Sequence, residues 1–283
     1  MPPILFALPG NEPMARALTD QAGLTLGTIE LHRFPDGESL VRLQTPVAAH
    51  DVVFVCTLDR PDTKVLPLLF AAATARELGA RRVGLVAPYL AYMRQDRAFR
   101  ASEGVTSSYF ARVLSAAFDW LVTVDPHLHR RHSLSEIYSM PSRVLHAAPV
   151  VARWIATQVP DAVLIGPDEE SEQWVGAVAA AAGVPHTVLA KQRRGDRDVR
   201  LSSLNLSPWS ARTPLLLDDT VSTGRTMIRT VEQLRRSGAR RPVCVTVHAV
   251  FAGDAYGELR GAGAGHIASC NTVVHESNAI HVS

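Results

Sequence analysis

The sequence predicts an α/β fold of two similar domains, each built on a mainly parallel sheet flanked by helices. Short apolar runs of strand length alternate with segments of helical spacing, a pattern typical of parallel strands joined by crossover helices. The alternation occurs twice in the same order, with a break near residues 142–148. The length of 283 residues also suits two domains of about 100 to 150 residues each.

The predicted elements follow the same order in both halves. In the first half we expect strands over residues 4–8, 52–57, 83–87 and 121–124 and helices over 66–78 and 109–118. In the second half we expect strands over residues 162–165, 186–189, 215–217 and 243–250 and helices over 149–158, 171–182 and 226–236. Three of these helices are followed by a glycine, the residue that ends a helix without strain: Gly79, Gly183 and Gly238.

Composition and charge restrict the class of protein. Hydrophobic residues make up 47% and charged residues 20% of the chain, which excludes a disordered, collagen-like or coiled-coil protein. The formal net charge of +2 lacks the basic excess of a dedicated nucleic-acid binder. We therefore expect small molecules, and no nucleic acid, as ligands.

The cysteines and the N-terminus predict a reduced protein in the cytoplasm. Cys56, Cys244 and Cys270 are scattered without paired spacing, which argues against a disulfide framework or a thiolate zinc site. Residues 1–10 lack the basic region of a signal peptide, and charges or prolines break the apolar runs well before the roughly 18 residues of a membrane span. We expect a soluble, cytoplasmic protein with no membrane partner.

The strongest local signal is a run of three leucines, 215–217, followed by two acids and then a loop rich in hydroxyl groups. Backbone N–H groups at the start of a helix, with Ser and Thr hydroxyls beside them, form a phosphate cradle. Asp218 and Asp219 can accept hydrogen bonds from vicinal ribose hydroxyls. A solvated turn and a capped helix would explain the hydroxyl groups but not the acids. The predicted ribose 5-phosphate site therefore comprises Asp218, Asp219, Ser222, Thr223, Gly224, Arg225 and Thr226.

This segment resembles the ribose-phosphate binding loop of type I phosphoribosyltransferases and of ribose-phosphate diphosphokinases. Residues 33–38 also resemble the RF-x-DGE motif of the diphosphokinases. The resemblance implies that Phe34, Asp36 and Glu38 reach the adenine of ATP bound by a neighbouring subunit. Taken alone, the same residues could form only a hairpin turn.

Three further segments resemble diphosphokinase motifs in the family's order. Residues 92–97 resemble Y-x-RQDR, which implies ATP contacts by Arg94, Gln95, Asp96 and Arg97, although simple surface charge is an alternative. Residues 125–127 resemble D-x-H, which places His127 at the metal-nucleotide site and among the catalytic residues. Lys191 and Arg193 resemble the catalytic K-x-R, which closes over the transferring group; a solvated basic loop is the alternative.

The histidines near residue 127 also suggest a zinc cluster. His127, His129 and His132 are close in sequence, but a zinc site needs a closed geometry with enough ligands, and Arg130 and Arg131 would repel a cation. The resemblance to the diphosphokinases extends to residues 277–280, which are similar to the family's last strand. It therefore covers essentially the whole chain.

Two departures from the family pattern affect the expected site. The usual P-D-x-G-G loop is replaced by residues 167–171, in which Asp168 still matches the family's metal-binding acid but two glutamates and Ser171 remove the glycines. Ser171 is expected to cap the following helix. Pro46, Val47 and Ala48 stand where regulated relatives carry Ser-x-Arg for an allosteric phosphate.

Together the resemblance implies two type I phosphoribosyltransferase-like domains with the active site between them. Residues 1–145 would bind ATP, 146–273 would bind ribose 5-phosphate, and 274–283 would return to the first domain. The implied reaction transfers the diphosphoryl group of ATP to O1 of ribose 5-phosphate, with Mg²⁺ at His127 and Asp168, in a homodimer or larger homo-oligomer. Alternatives are a phosphoribosyltransferase, which normally has one such domain, and a non-catalytic nucleotide-binding regulatory homologue.

Overall fold

A computed structural model describes residues 2–128, 130–168, 171–189, 191–194, 198–201 and 207–283, with the backbone alone for 191–194, 198–201 and 207. The chain divides into two compact units. Unit 1 runs to Leu145 and also includes Thr272–Val274 and Ser283. Unit 2 comprises His146–Asn271 and His275–Val282.

Unit 1 is built around a six-stranded parallel sheet with the strand order β2-β1-β5-β6-β7-β8. An antiparallel hairpin, β3-β4, stands apart from this sheet. In chain order the elements are β1 (Ile4–Ala7), α1 (Glu12–Ala22), β2 (Thr25–Gly27), β3 (Ile29–Arg33), β4 (Ser39–Leu43), β5 (Asp51–Val55), α2 (Val65–Glu77), β6 (Arg82–Ala87), α3 (Thr106–Ala117), β7 (Trp120–Val124) and β8 (Ser142–Leu145).

The core of unit 1 follows from its apolar strands. Every residue of β5 is buried, as expected for a parallel strand covered on both faces. Phe6 on β1 and Phe54 on β5 stack with ring centroids 5.7 Å apart. Gly84 on β6 leaves the space that the Trp120 ring occupies, since a Cβ there would lie 2.0 Å from that ring.

Unit 2 repeats the arrangement with a six-stranded parallel sheet in the order β10-β9-β13-β14-β15-β16. A second antiparallel hairpin, β11-β12, again lies outside the sheet. The elements are α4 (Ala148–Gln158), β9 (Ala162–Gly166), α5 (Glu172–Ala182), β10 (His186–Val188), β11 (Lys191–Arg194), β12 (Asp198–Leu201), β13 (Thr213–Val221), α6 (Arg225–Arg236), β14 (Val243–Ala249), α7 (Ala255–Ala262), β15 (His266–Cys270) and β16 (Asn278–Ile280).

The predicted α/β class, with a helix-flanked parallel sheet in each half, is confirmed. The C-terminal segment differs from the expectation that residues 274–283 return to the first domain. Strand β16 pairs in parallel with β15 in the sheet of unit 2. Asn278 Nδ2 donates to Ser269 Oγ and to the Cys270 carbonyl, both at 2.9 Å. Of residues 272–283, only Thr272–Val274 and Ser283 belong to unit 1. Within unit 1, Thr57 Oγ1 donates to the Thr272 carbonyl at 2.8 Å.

The three cysteines are free thiols in the core, as predicted. Burial raises the pKa of Cys56 to about 12 and raises that of Cys244 further. Both therefore stay protonated and unreactive at neutral pH. In the described part of the chain, no helix has the length and apolar character needed to cross a membrane.

Candidate active site

The predicted ribose 5-phosphate residues lie at one edge of the unit 2 sheet. Strands β9 and β13 are parallel neighbours with Ile165 opposite Leu216, so their carboxyl ends share an edge. Pairing with β9 ends at Leu216, whereas β13 continues beside β14 to Val221. Asp218 and Asp219 lie on this extension and are part of the strand. The predicted strand ends at residue 217, so their position within β13 differs from the prediction.

The acids at this edge influence one another electrostatically. Burial raises the pKa of Asp218 well above its usual range, and the neighbouring charges of Asp219 and Asp168 raise it further. No group of three His, Cys, Asp or Glu side chains in the described residues has an arrangement that could hold a metal by itself. The edge therefore carries negative charge that a hydroxyl-bearing or cationic ligand would stabilise.

The hydroxyl-rich loop is held beside the acids. Gly224 has a φ of 63° and immediately precedes α6, a conformation that favours glycine. Ala252 N donates to the Ser222 carbonyl at 3.1 Å, which fixes the loop against the connection after β14. Thr223, Arg225 and Thr226 are exposed.

Asp218 and Thr226 both line a cavity in unit 2 that is too small for a sugar phosphate and is otherwise lined by apolar residues such as Leu189 and Met227. The start of α6 carries unpaired N–H groups and a partial positive charge. Carboxylates that could accept from sugar hydroxyls therefore lie on the strand that leads into the start of α6, where donors for a phosphate are available.

Asp168 lies just after β9 and is hydrogen-bonded to Ser171. Ser171 N donates to Asp168 Oδ1 at 3.2 Å, and Ser171 Oγ donates to the Asp168 carbonyl at 2.6 Å. A Cβ on Gly166 would lie 2.6 Å from Ser171 Oγ, so the glycine makes room for this hydroxyl. The expected cap is wrong, because Ser171 precedes α5 without a side-chain capping bond and its hydroxyl is directed to Asp168. Glu169 and Glu170 lie outside the described residues.

Lys191 and Arg193 lie on β11, where they pair with Leu201 and Val199 of β12. The expected basic loop is therefore a hairpin in its described part. Their side chains are outside the description, and so is Ala190.

The predicted adenine-binding residues of unit 1 occupy the tip of the β3-β4 hairpin. Phe34 N donates to the Glu38 carbonyl at 2.8 Å, and Gly37 N donates to the Phe34 carbonyl at 2.9 Å. Asp36 Oδ1 accepts from Glu38 N at 3.1 Å. All three predicted side chains are exposed, and Phe34 is 40% exposed despite its apolar ring. The hairpin turn is present, and the side chains predicted to bind adenine are exposed at its tip.

The segment after β6 presents three of its four predicted ATP ligands to solvent. Arg94, Gln95 and Arg97 are exposed, whereas the carboxylate of Asp96 is 3% exposed. Tyr92 has a φ of 63°, and its hydroxyl donates to Asp62 Oδ1 at 2.5 Å. This bond raises the pKa of Tyr92 to about 12, with burial and the charge of Asp62 adding to the shift.

His127 follows β7 in a strained turn. Asp125 and His127 have φ values of 33° and 54°, a region that costs a non-glycine residue on the order of 1–3 kcal/mol. His127 N donates to the Asp125 carbonyl at 2.9 Å, and the imidazole is half-buried. His129 lies outside the described residues, and His132 is exposed. The described residues contain no cluster that would form the alternative zinc site.

Comparisons with known proteins identify the family. A model described as the N-terminal domain of ribose phosphate pyrophosphokinase matches residues 3–117, and a phosphoribosyl transferase domain model matches residues 133–282. A ribose-phosphate pyrophosphokinase from Methanopyrus kandleri is 32% identical over 99% of this chain and 96% of its own length. The chain belongs to the ribose-phosphate pyrophosphokinase family. The predicted family and enzyme class are confirmed.

Other members of this pyrophosphokinase family match over similar lengths. The ribose-phosphate pyrophosphokinase of Saccharolobus solfataricus is 28% identical over 91% of this chain and 88% of its own. The crystal structure of phosphoribosylpyrophosphate synthetase from Mycobacterium smegmatis superposes with a TM-score of 0.84 at 22% identity, covering 99% of this chain and 92% of that one. This likeness shows that the two chains share the fold.

Sequence reasoning missed two residues that bind predicted site residues. Thr246 Oγ1 donates to the Asp219 carbonyl at 3.3 Å, and Arg130 Nη1 donates to both carboxylate oxygens of Asp96 at 3.2 Å. Neither residue belongs to a local motif, so the signal that reveals them is their position in the fold.

Proposed function

We propose that this chain transfers the diphosphoryl group of ATP to O1 of ribose 5-phosphate, which forms 5-phosphoribosyl 1-diphosphate and AMP. The observation that carries the proposal is the continuous segment of β13, loop and α6, in which Asp218 and Asp219 lie on the strand and Gly224 immediately precedes the helix. It combines acceptors for sugar hydroxyls with the start of a helix. Membership of the pyrophosphokinase family supports the same reaction.

In unit 2 the substrate would be bound at both ends of the sugar. The N–H groups and hydroxyls of the loop bind the 5-phosphate, favoured by the positive end of the helix dipole. Asp218 and Asp219 accept hydrogen bonds from the ribose hydroxyls, which leaves O1 directed away from the phosphate. The loop residues are Ser222, Thr223, Gly224, Arg225 and Thr226.

In unit 1 the nucleotide would be bound by two exposed surfaces. Phe34 offers a ring for stacking on adenine, and Asp36 and Glu38 offer acceptors for its amino group. The segment of residues 94–97 supplies cationic side chains for the phosphates. By the resemblance, the hairpin tip serves a neighbouring subunit.

Lys191 and Arg193 would stabilise the charge that develops during transfer. They are two residues apart on β11, a spacing that places residues on one face of a strand. In phosphoryl transfer, positioning and charge stabilisation account for most of the catalysis. O1 attacks the β-phosphorus as the bond to the α-phosphate oxygen breaks, and AMP leaves with that oxygen.

Magnesium fits the acidic edge of unit 2. Mg²⁺ is usually bound by one or two carboxylates together with substrate phosphates, and Asp168 lies close enough to raise the pKa of Asp218. When bound, the ion would neutralise phosphate charge. We assign Asp168 and His127 to metal binding, in line with the resemblance.

The regulatory alternative has one observation in its favour. The Ser171 hydroxyl occupies the space next to Gly166 and donates to the Asp168 carbonyl, where the family pattern has glycines that a diphosphate can approach. A phosphoribosyltransferase is less consistent with the chain, because residues 3–117 match the N-terminal domain of a pyrophosphokinase.

The test is AMP formation from ATP and Mg²⁺, measured with and without ribose 5-phosphate. We expect AMP to form only when the sugar phosphate is present. The variant Arg236→Ala, which removes an exposed pair with Glu232 in unit 2, should behave as the wild type. Binding of ATP without any sugar-dependent AMP would support the regulatory alternative instead.

A further inference from the structure

We propose that Asp96 and Arg130 form a positioning pair, which holds Arg94, Gln95 and Arg97 in the conformation that binds ATP, and that Asp96 does not contact the nucleotide itself. This inference rests on the proposed function. It changes the role of Asp96 from a ligand to a residue that acts through its neighbours.

Asp96 differs from its neighbours in burial and in partners. The side chain of Asp96 is 3% exposed, and that of its partner Arg130 is 35% exposed. Arg130 Nη1 lies 3.2 Å from each carboxylate oxygen. Arg131 Nη2 donates to the Asp96 carbonyl at 3.3 Å and to Ser108 Oγ at 3.2 Å. Two consecutive arginines thus bind one residue, at its side chain and at its backbone.

The remaining contacts keep the segment in one shape. Gln95 N donates to the Tyr92 carbonyl at 2.9 Å, and Ser107 N donates to the Gln95 carbonyl at 3.3 Å. With Asp96 directed inward, the adjacent side chains of Gln95 and Arg97 are exposed. A buried carboxylate would also repel a triphosphate at short range. Its location therefore favours a supporting role over direct binding.

The pair also joins two segments that the sequence analysis assigned to the nucleotide. Arg130 follows His127 by three residues, in the connection after β7, and Asp96 lies 34 residues earlier. Loss of the pair would release the 94–97 segment from the His127 turn. A side chain that is ordered before binding costs the ligand less free energy than one that must be ordered on binding.

Unit 1 offers a matched control for loss of a buried ion pair. Asp51, whose side chain is 11% exposed, is bound at 2.8 Å by Arg81 and by Arg82. Both arginines hold the pKa of Asp51 well below its usual range. Asp51 and Arg82 begin β5 and β6, so this pair lies at the amino edge of the sheet, opposite the edge that carries His127.

The test is calorimetric binding of adenylyl imidodiphosphate with Mg²⁺, and separately of ribose 5-phosphate, to the full chain. The variants are Asp96→Asn, Arg130→Gln, the double variant and the control Arg82→Gln, each with its Tm measured. We expect Asp96→Asn and Arg130→Gln each to raise the Kd of the nucleotide analogue about tenfold. The double variant should have the same Kd as the single variants. The Kd of ribose 5-phosphate should change less than about twofold.

The control Arg82→Gln should lower Tm without changing either Kd. The inference is wrong if the variants at the pair lower Tm alone, if they weaken both ligands equally, or if the two losses add in the double variant. A wild-type chain that binds no nucleotide analogue would reject the proposed function, and the positioning role with it. Normal wild-type binding with unchanged variants would reject the positioning role alone.

Discussion

At Asp218, stability and ligand binding make opposite demands. Burial and the charges of Asp219 and Asp168 raise its pKa above the ordinary value of 3.8 in the folded chain. A carboxyl of this kind binds its proton more tightly when folded, so its stabilising effect is complete below the unfolded pKa. That contribution is lost as the pH rises through the raised folded pKa.

We therefore predict that Asp218→Asn raises Tm at pH 8, by about 2 to 4 °C for a gain of about 1 kcal/mol. Asparagine has the shape of the protonated acid and avoids the buried charge. The advantage over the wild type should shrink towards pH 4, while affinity for ribose 5-phosphate falls at least about tenfold at pH 8. Thermal scans from pH 4 to 8 and a ligand titration measure both effects. A lower Tm at pH 8 would contradict a carboxylate that destabilises the folded chain when it is charged.

A second prediction at this scale concerns Gly224. An added Cβ would meet Ile228 Cδ1 at an ordinary 3.5 Å, but the φ of 63° strains any other residue, at a cost of about 1 to 2 kcal/mol. Gly224→Ala should lower Tm and also weaken ribose 5-phosphate binding about tenfold, because the backbone must approach the phosphate closely. Gly183→Ala, with a φ of 70° and no atom within 4 Å, should lower Tm similarly and leave binding unchanged. If Gly224→Ala and Gly183→Ala bind ribose 5-phosphate equally well, the loop at Gly224 does not bind the phosphate.

The site residues differ in how far the sequence reveals them. Asp218, Asp219 and the loop to Thr226 are contiguous and follow an apolar strand, so a local pattern predicts both their place and their chemistry. The Asp96–Arg130 pair spans 34 residues and depends on how two strand connections meet. The local pattern at Ser171 predicts a helix cap, whereas in the fold its hydroxyl donates to the Asp168 carbonyl.

Among the elements, the hairpin β11-β12 leads to the most direct kinetic prediction. Lys191→Ala and Arg193→Ala should each lower kcat by about 100- to 1000-fold, because they remove charge that acts mainly in the transition state. The KM for ATP should change by less than about threefold. Steady-state kinetics of both variants, with Arg236→Ala as a control, provide the measurement. An unchanged kcat with a raised KM would assign these residues to ground-state binding.

The elements that the sequence predicts well are those with a strong apolar pattern. The buried runs of β5 and β14 could be recognised because both faces of a parallel strand are covered. Strand β3 alternates between half-buried and exposed residues, and α1 has a short polar sequence with Pro13 near its start, so a search for apolar patterns finds neither element. The pairing of β16 depends on contacts with Ser269 and Cys270, which no local pattern specifies.

For the whole molecule we predict activity without inorganic phosphate as an activator. Val47 is 1% exposed within the core, and the N–H groups of Ala49 and His50 donate to the carbonyls of Gly79 and Val47. Pro46 has no N–H group, so this turn lacks the donors that an anion requires. Initial rates against phosphate, at fixed ionic strength and free Mg²⁺ with desalted enzyme, should be flat or show competitive inhibition. A rate near zero without phosphate that rises saturably would reveal another activating site.

We also predict that the active species is at least a dimer. The hairpin tip with Phe34, Asp36 and Glu38 would complete a neighbouring adenine site. Unit 1 also exposes apolar side chains on α2 and α3: Leu66 is 54%, Tyr109 is 49% and Val113 is 43% exposed. Apolar surface of this kind favours association. Sedimentation at assay concentration should show an oligomer, and a fully active monomer would rule this arrangement out.

The central claim concerns which bond of ATP is broken and where the diphosphoryl group goes. The most direct test is phosphorus NMR of a reaction that contains ATP, Mg²⁺ and ribose 5-phosphate. The proposed reaction yields AMP and 5-phosphoribosyl 1-diphosphate in equal amounts, because the β- and γ-phosphates move together to O1. ADP with a ribose bisphosphate, or AMP with free diphosphate from the first time points, would contradict it.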